Sequence, residues 1–383
     1  MLFISLKMLI KDKAKYYGII IGLSFAGLII TQQSGIFVGL MARTYGFITD
    51  TSQCDIWVMD PKVQFIDDIK PLKSTDLLRV KSIDGIDWAV PLYKGLIKAR
   101  LLNGNFQNCN VIGIDDATLI GQPPVMLKGK IEELRRPDSI IVDEVGSKTK
   151  LSETINGQKD PLQIGEILEL NDHRAEVVGI CRVSRTFQSQ PVIYTTYSRA
   201  TTFAPKERKQ LSFILVKAKK NQDLDLLCKK IEKTTHLAAY TNKDFAKLTV
   251  SYFMTKTGIP INFGVTVLLG FIIGTAIAGQ TFYNFTLDNL KYFGTFKAMG
   301  AFNKMLIKLI LSQAIWVGTI GWALGVGSAA LFGFVLRQTE LSFRLPWELF
   351  LVSGFSMYLI CILAAFVSFK KILKLEPMVV FKS

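Results

Sequence analysis

Only two histidines occur in this chain, His173 and His236, and neither has a carboxylate or cysteine at a spacing that would build a zinc site. Both read as surface loop residues. The adjacent carboxylates Asp67 and Asp68, Asp115 and Asp116, and Glu132 and Glu133 could in principle share acid and base roles. They stand in turn-like polar contexts, however, where solvated charge is the default. A GxSxG nucleophile elbow is missing, and no GxxxxGK[ST] loop is present to cradle a nucleotide phosphate. None of the long apolar stretches contains an acidic residue that could relay protons or sodium. These observations disfavour an enzyme or an ion-coupled carrier. They leave a chain with no bound cofactor or metal, whose work is driven from outside its own sequence.

The best-patterned polar segment between apolar ones is 284–301, which should form a short helix. Asp288, Lys291 and Lys297 are spaced to face water, whereas Leu287, Leu290, Phe293 and Phe296 recur at helical intervals as a stripe that must cover something apolar. Gly300 stands where a helix would stop, and Gly294 either admits another backbone closely or breaks the helix in two. Such a segment is a docking piece or, alternatively, an amphipathic connector lying in lipid headgroups.

The elements around it are those of a membrane protein. Of 383 residues, 49% are hydrophobic, too many for one soluble domain, yet the charges are too many for an all-membrane chain. Four charge-free stretches, 16–42, 258–287, 309–336 and 349–369, have the length of a bilayer-spanning helix, and they predict spans at 16–42, 258–283, 305–336 and 349–369. Between the first two, residues 43–257 suit a water-soluble domain. The net charge of +15 carries no nucleic-acid footprint, because its basic residues gather at Lys7, Lys11, Lys13 and Lys15, at Lys291, Lys297, Lys304 and Lys308, and at Lys370, Lys371, Lys374 and Lys382. All three clusters fall on one side of a four-span topology, while the short loop 337–348 balances Arg337 and Arg344 against Glu340 and Glu348. The positive-inside rule then places both termini and the 284–301 segment in the cytoplasm and the large domain outside.

Residues 1–15 mix apolar and lysine positions as an amphipathic helix on the inner leaflet would, and should feed straight into the first span. Gln32 and Gln33 within that span face either a partner helix, including one of a second subunit, or the outer membrane edge. In the large domain, Cys54–Met59 reads as a strand and 75–82 as a helix capped by Ser74. Further strands are expected at 86–90, 95–102, 110–114, 139–142, 167–170, 175–180, 192–195 and 213–217. Hairpin turns should lie at Asn103-Gly104-Asn105 and near Asn171-Asp172-His173, and a helix at 222–234 should bury Leu224, Leu227, Cys228 and Ile231. The order indicates an α+β domain with a β-rich insertion at about 108–195, not a βαβ nucleotide fold. Cys54, Cys109, Cys181 and Cys228 permit disulfides outside the cell, with free buried thiols as the favoured reading.

Several segments resemble the permease subunits of the MacB/FtsX superfamily of ABC transporters, most of all its DevC branch. Gly294-Thr-Phe-Lys-Ala-Met-Gly-Ala301 is similar to the family signature after the second span, which in the family packs against the ATPase; Leu373-Lys-Leu-Glu-Pro-Met-Val-Val-Phe381 resembles its closing tail. Arg185–Tyr197 and Gln32–Phe37 are similar to DevC-type stretches, whereas Tyr292 departs from the acidic residue usual at that position. The resemblance implies four transmembrane helices and an extracytoplasmic α+β domain with a porter part and a β-rich insertion. It further implies an inner-membrane homodimer bound to cytoplasmic ATPase subunits that hold ATP and Mg, and for DevC a periplasmic adaptor and an outer-membrane channel. Asp288, Lys291, Phe293, Gly294, Phe296, Lys297, Met299 and Gly300 would contact the ATPase, with Phe293 and Phe296 seated in an apolar groove of it. In the tail 370–383, Glu376, Pro377 and Phe381 would add contacts. Rival expectations are an FtsX-like regulator of a cell-wall hydrolase, a lipoprotein-releasing permease, and a receptor with no ATPase.

Overall fold

A strand covered on both faces reads as an unbroken apolar run, and Ile56-Trp-Val-Met59 is such a run. The computed structural model describes residues 2–101, 103–155, 158–205, 211–336 and 340–373. In chain order, α1 (Leu2–Lys11) and α2 (Lys13–Thr44) precede α3 (Gly46–Asp50), β1 (Ile56–Met59), α4 (Ser74–Lys81), β2 (Ile86–Arg100), β3 (Phe106–Ile114) and β4 (Val125–Lys128). A 3-10 turn at Ile131–Arg135 leads to β5 (Ser139–Asp143), α5 (Glu144–Lys148), β6 (Glu153–Ile155), β7 (Gln158–Asp160), β8 (Ile167–Leu170), β9 (His173–Arg182) and β10 (Val192–Thr196). Next come α6 (Tyr197–Phe203), β11 (Phe213–Ala218), α7 (Leu224–Thr235), β12 (Ala238–Thr241) and α8 (Asn242–Lys256). The chain continues with α9 (Ile259–Asp288), α10 (Leu290–Ala298), α11 (Asn303–Val335) and α12 (Trp347–Leu373). Two units result: a helical unit of residues 1–40 and 258–383, and an α+β unit of residues 41–257.

In the α+β unit one sheet runs β12-β1-β11-β2-β3-β10-β5-β9-β4, with β8 against β2 and β9. Alternation sorts its side chains. Trp57 and Met59 of β1, with Phe213 and Leu215 of β11, enter one core together with Phe245 of α8. Ile56 and Val58, with Ile214 and Val216, enter the other, against Val80 of α4 and Leu227 and Ile231 of α7. Trp57 Nε1 donates to Asn242 Oδ1 at 2.7 Å, which satisfies the indole inside the aromatic cluster.

β2 was expected as two strands and is one of 15 residues. Pro91 and Gly95, punctuation in a sequence, lie inside it because its first half pairs with β11 and its second with β3. The insertion is therefore continuous with the porter-like sheet and not a separate layer. Both hairpins form as expected: β2 and β3 pair antiparallel from Arg100 and Phe106, with Gly104 at a φ of +81° in the turn, and Asn171 and Asp172 turn with positive φ of 49° and 63° between β8 and β9. At α4, Lys73 and not Ser74 is the cap residue, its N–H donating to the Asp76 carboxylate at 3.0 Å. All five cysteines are buried free thiols, and burial pushes those of Cys54 and Cys228 up to about 12.

Among the described residues four helices, α2, α9, α11 and α12, are long and apolar enough to cross a bilayer. Small residues set their packing. Gly321 and Gly325 of α11 lie against α2, and Gly270 and Gly274 of α9 against the Ile29 and Ala26 side of α2. A Cβ on Gly325 would stand 2.7 Å from the Ser24 carbonyl oxygen and 2.8 Å from the Leu28 nitrogen, both backbone atoms that cannot swing away. Gly325→Val should therefore wedge α11 from α2 and cost about 1–3 kcal/mol, read as a lower melting temperature of the purified chain. Gly327→Val, at a glycine with nothing within 4 Å, should leave that temperature unchanged; equal melting of the two would refute the close packing.

Two further boundaries differ from expectation. The chain does not feed straight from α1 into α2 but breaks at Asp12, whose carboxylate accepts from the Lys15 N–H at 3.3 Å. The segment 284–301 is not one helix either, since α9 runs on to Asp288 and α10 starts only at Leu290.

Candidate functional site

The α9–α11 connection is an elbow closed by its own hydrogen bonds. At Asn289 the backbone leaves helical geometry (φ −96°, ψ 11°), and its Nδ2 donates to the Phe285 carbonyl at 2.8 Å. α10 ends at Ala298, and Gly300, just past the cap residue Met299, has a φ of +92° that only glycine adopts without strain. The Gly300 N–H donates to Lys297 O at 3.1 Å and the Ala301 N–H to Phe296 O at 2.9 Å, the paired bonds of a Schellman motif. Phe302 is extended (φ −69°, ψ 151°) and starts α11. Gly300 thus stops the helix as its type predicts, while Gly294 does not break it and lies buried within α10.

The apolar stripe covers this chain's own core. Phe293 is 0% exposed and packs in one cluster with Leu9 of α1, Phe282 and Phe285 of α9, and Leu306, Leu309 and Ile310 of α11; Phe296 and Ala301 are half-buried against it. The expectation that Phe293 seats in a groove of a partner is corrected accordingly. A helical stripe shows that a face is covered but not by which chain. Asp288, expected to face water and a partner, is solvent-exposed and ion-paired with Lys15, which pairs with Asp12 as well at 2.9 Å. The hydrogen bond from the Lys15 ammonium holds the Asp12 carboxyl below its usual range, with burial opposing. Lys11 Nζ donates to the Tyr292 hydroxyl at 3.3 Å and lies 5.6 Å from its ring centroid. Tyr292, where the family pattern has an acid, is held by a cation of its own chain.

Outward on this elbow are Asp288, Lys291, Tyr292, Thr295, Ala298, Met299, Gly300 and Phe302, with Lys297 half-buried. Met299 is 70% exposed and Phe302 81%. Sequence reasoning missed Phe302 because the signature was read as ending at Ala301; an aromatic directly after a helix-stopping glycine was the available signal. Glu376, Pro377 and Phe381 of the tail lie outside the described residues. Among the described residues no group of three His, Cys, Asp or Glu side chains is placed to hold a metal ion.

Comparison with known proteins matches residues 18–234 to the MacB-like periplasmic core domain and residues 251–377 to the FtsX-like permease C-terminal family. An uncharacterised ABC transporter permease of Methanocaldococcus jannaschii is 21% identical over 229 residues, which span 56% of this chain and 57% of that protein. The chain therefore covers little more than half the length of this relative. The periplasmic region of MacB from Actinobacillus actinomycetemcomitans is 14% identical with a TM-score of 0.36, over 52% of this chain and 94% of that structure. The extracellular domain of the noncanonic ABC-type transporter YknZ from Gram-positive bacteria is 12% identical with a TM-score of 0.34, over 49% and 98% respectively. With the core-domain match spanning more than half of the chain and the permease match following it, this membrane protein belongs to the MacB/FtsX type of ABC transporter permeases.

Proposed function

We propose that this chain transmits the motion of a separate cytoplasmic ATPase, which holds ATP and Mg, to an extracytoplasmic α+β domain that drives a substrate outward. It does so without a nucleotide site of its own, in the bacterial inner membrane, with both termini cytoplasmic. In the DevC manner it works with a periplasmic adaptor and an outer-membrane channel. The observation that carries the reading is the elbow: Phe293 is sunk into the helical unit while Met299 and Phe302 project on either side of the Gly300 bend as an apolar tip. A partner closing over that tip moves α9 and α11 together. The proposed ATPase-contacting set is the exposed Asp288, Lys291, Tyr292, Met299, Gly300 and Phe302. Phe293, Gly294 and Phe296 act from beneath, and Lys297 from the half-buried flank. Glu376, Pro377 and Phe381 are proposed as tail contacts from their motif alone.

A second copy of the chain is part of this reading. On α9, the Gln280 amide is exposed among Ile272, Ile273 and Ile277, one turn before the cytoplasmic Asn284 to which it donates at 3.5 Å. Amides on a face that would otherwise meet lipid are costly unless protein covers them. A tag on either end, in intact cells, should be shielded from added protease, and the solubilised chain should bring down a nucleotide-binding protein. Tags cleaved from outside, or a chain recovered with no such protein, would overturn the reading.

A further inference from the structure

The α+β unit contains a cavity of about 630 Å³, within the size range of small-ligand sites. One wall is aromatic. The rings of Phe65 and Tyr252 stack with centroids 4.4 Å apart at 21°, and Phe187 and Phe253 lie 4.7 Å apart. Opposite are polar groups that a closed core would not keep. Lys94 is 4% exposed, ion-paired with Asp67 and 5.9 Å from the Phe47 ring centroid. Asn110, on β3 between Leu96 of β2 and Val192 of β10, is also 4% exposed, and its side-chain oxygen has no hydrogen-bond partner. A buried acceptor left unpaired is destabilising unless something brings a donor to it.

We propose that this cavity binds a small aromatic amphiphile whose polar end carries hydrogen-bond donors. The flat body lies against Phe65, Phe187, Tyr252 and Phe253, where offset aromatic stacking is favourable. The donors meet the Asn110 oxygen and the Asp67 and Asp68 carboxylates. Asp67 is paired with Lys94 and Asp68 with Lys70, so the wall carries no net positive charge that would select an anionic ligand. The site goes beyond the coupling reading and does not require it, because binding is measured on the permease alone.

The test is fluorescence anisotropy of rhodamine 6G, a flat cationic xanthene with two N–H donors, titrated into the full chain in dodecyl maltoside against empty micelles. Saturable binding at one site per chain is expected. Tyr252→Ala, which removes one aromatic face, and Gln188→Trp, which fills the mouth from an exposed position, should each weaken it by tenfold or more. Gln188→Trp should leave the melting temperature unchanged, so its result stands even if Tyr252→Ala perturbs folding. No saturable signal above empty micelles, or wild-type affinity in the Gln188→Trp chain, would overturn the proposal.

Discussion

A permease carrying both Met299→Asp and Phe302→Asp is expected to lose its ATPase during purification while folding normally. Both side chains are mostly solvent-exposed in the isolated chain, so charge at these positions costs the permease itself little. In the complex, each apolar side chain that a partner buries contributes about 1.5–3 kcal/mol. Losing both is then an affinity fall of at least about a hundredfold, since about 1.4 kcal/mol is a factor of ten. A buried aspartate would add a desolvation penalty on top. The ratio of ATPase to permease in the eluate and the permease melting temperature together read this out. An unchanged ratio would mean that the tip is not the contact.

Phe293→Ala should act in the opposite way. The ring is wholly enclosed by α1, α9 and α11 side chains, so truncation leaves a cavity in the core of the helical unit. Phe-to-Ala changes in well-packed cores cost about 3–5 kcal/mol. The expected result is a marked drop in thermal midpoint and yield, with Phe293→Leu recovering most of both. Were Phe293 presented to a partner, the alanine variant would melt normally and lose only the ATPase, which separates the two roles in one measurement.

The spans were legible because twenty or so uncharged residues have few ways to be satisfied outside a bilayer. β1 and β11 were legible because strands buried on both faces must be apolar throughout, and the hairpins because Asn and Gly supply the backbone angles that tight turns need. β12 and α8 were not foreseen. Ala238–Thr241 is a four-residue strand with two small apolar residues, and α8 mixes Lys, Thr and Ser with its apolar positions, so neither shows a clean period. Their places are set by the Trp57 cluster, which brings together residues nearly two hundred positions apart. At the elbow, sequence identified the turn, its glycine stop and its apolar stripe. It could not distinguish an inward ring at Phe293 from an outward one at Phe302. Nor could it foresee Lys15 reaching Asp288, because that pairing depends on how the ends of α2 and α9 come together.

The Schellman closure at Gly300 also has a mechanical meaning. Both amides at the bend are already committed, to Lys297 and Phe296, and the side chains beneath are packed solid. In the proposed coupling role, two committed amides would leave this joint little freedom to unwind, so a displacement imposed at Met299 or Phe302 would be passed to α11 in preference to bending the elbow.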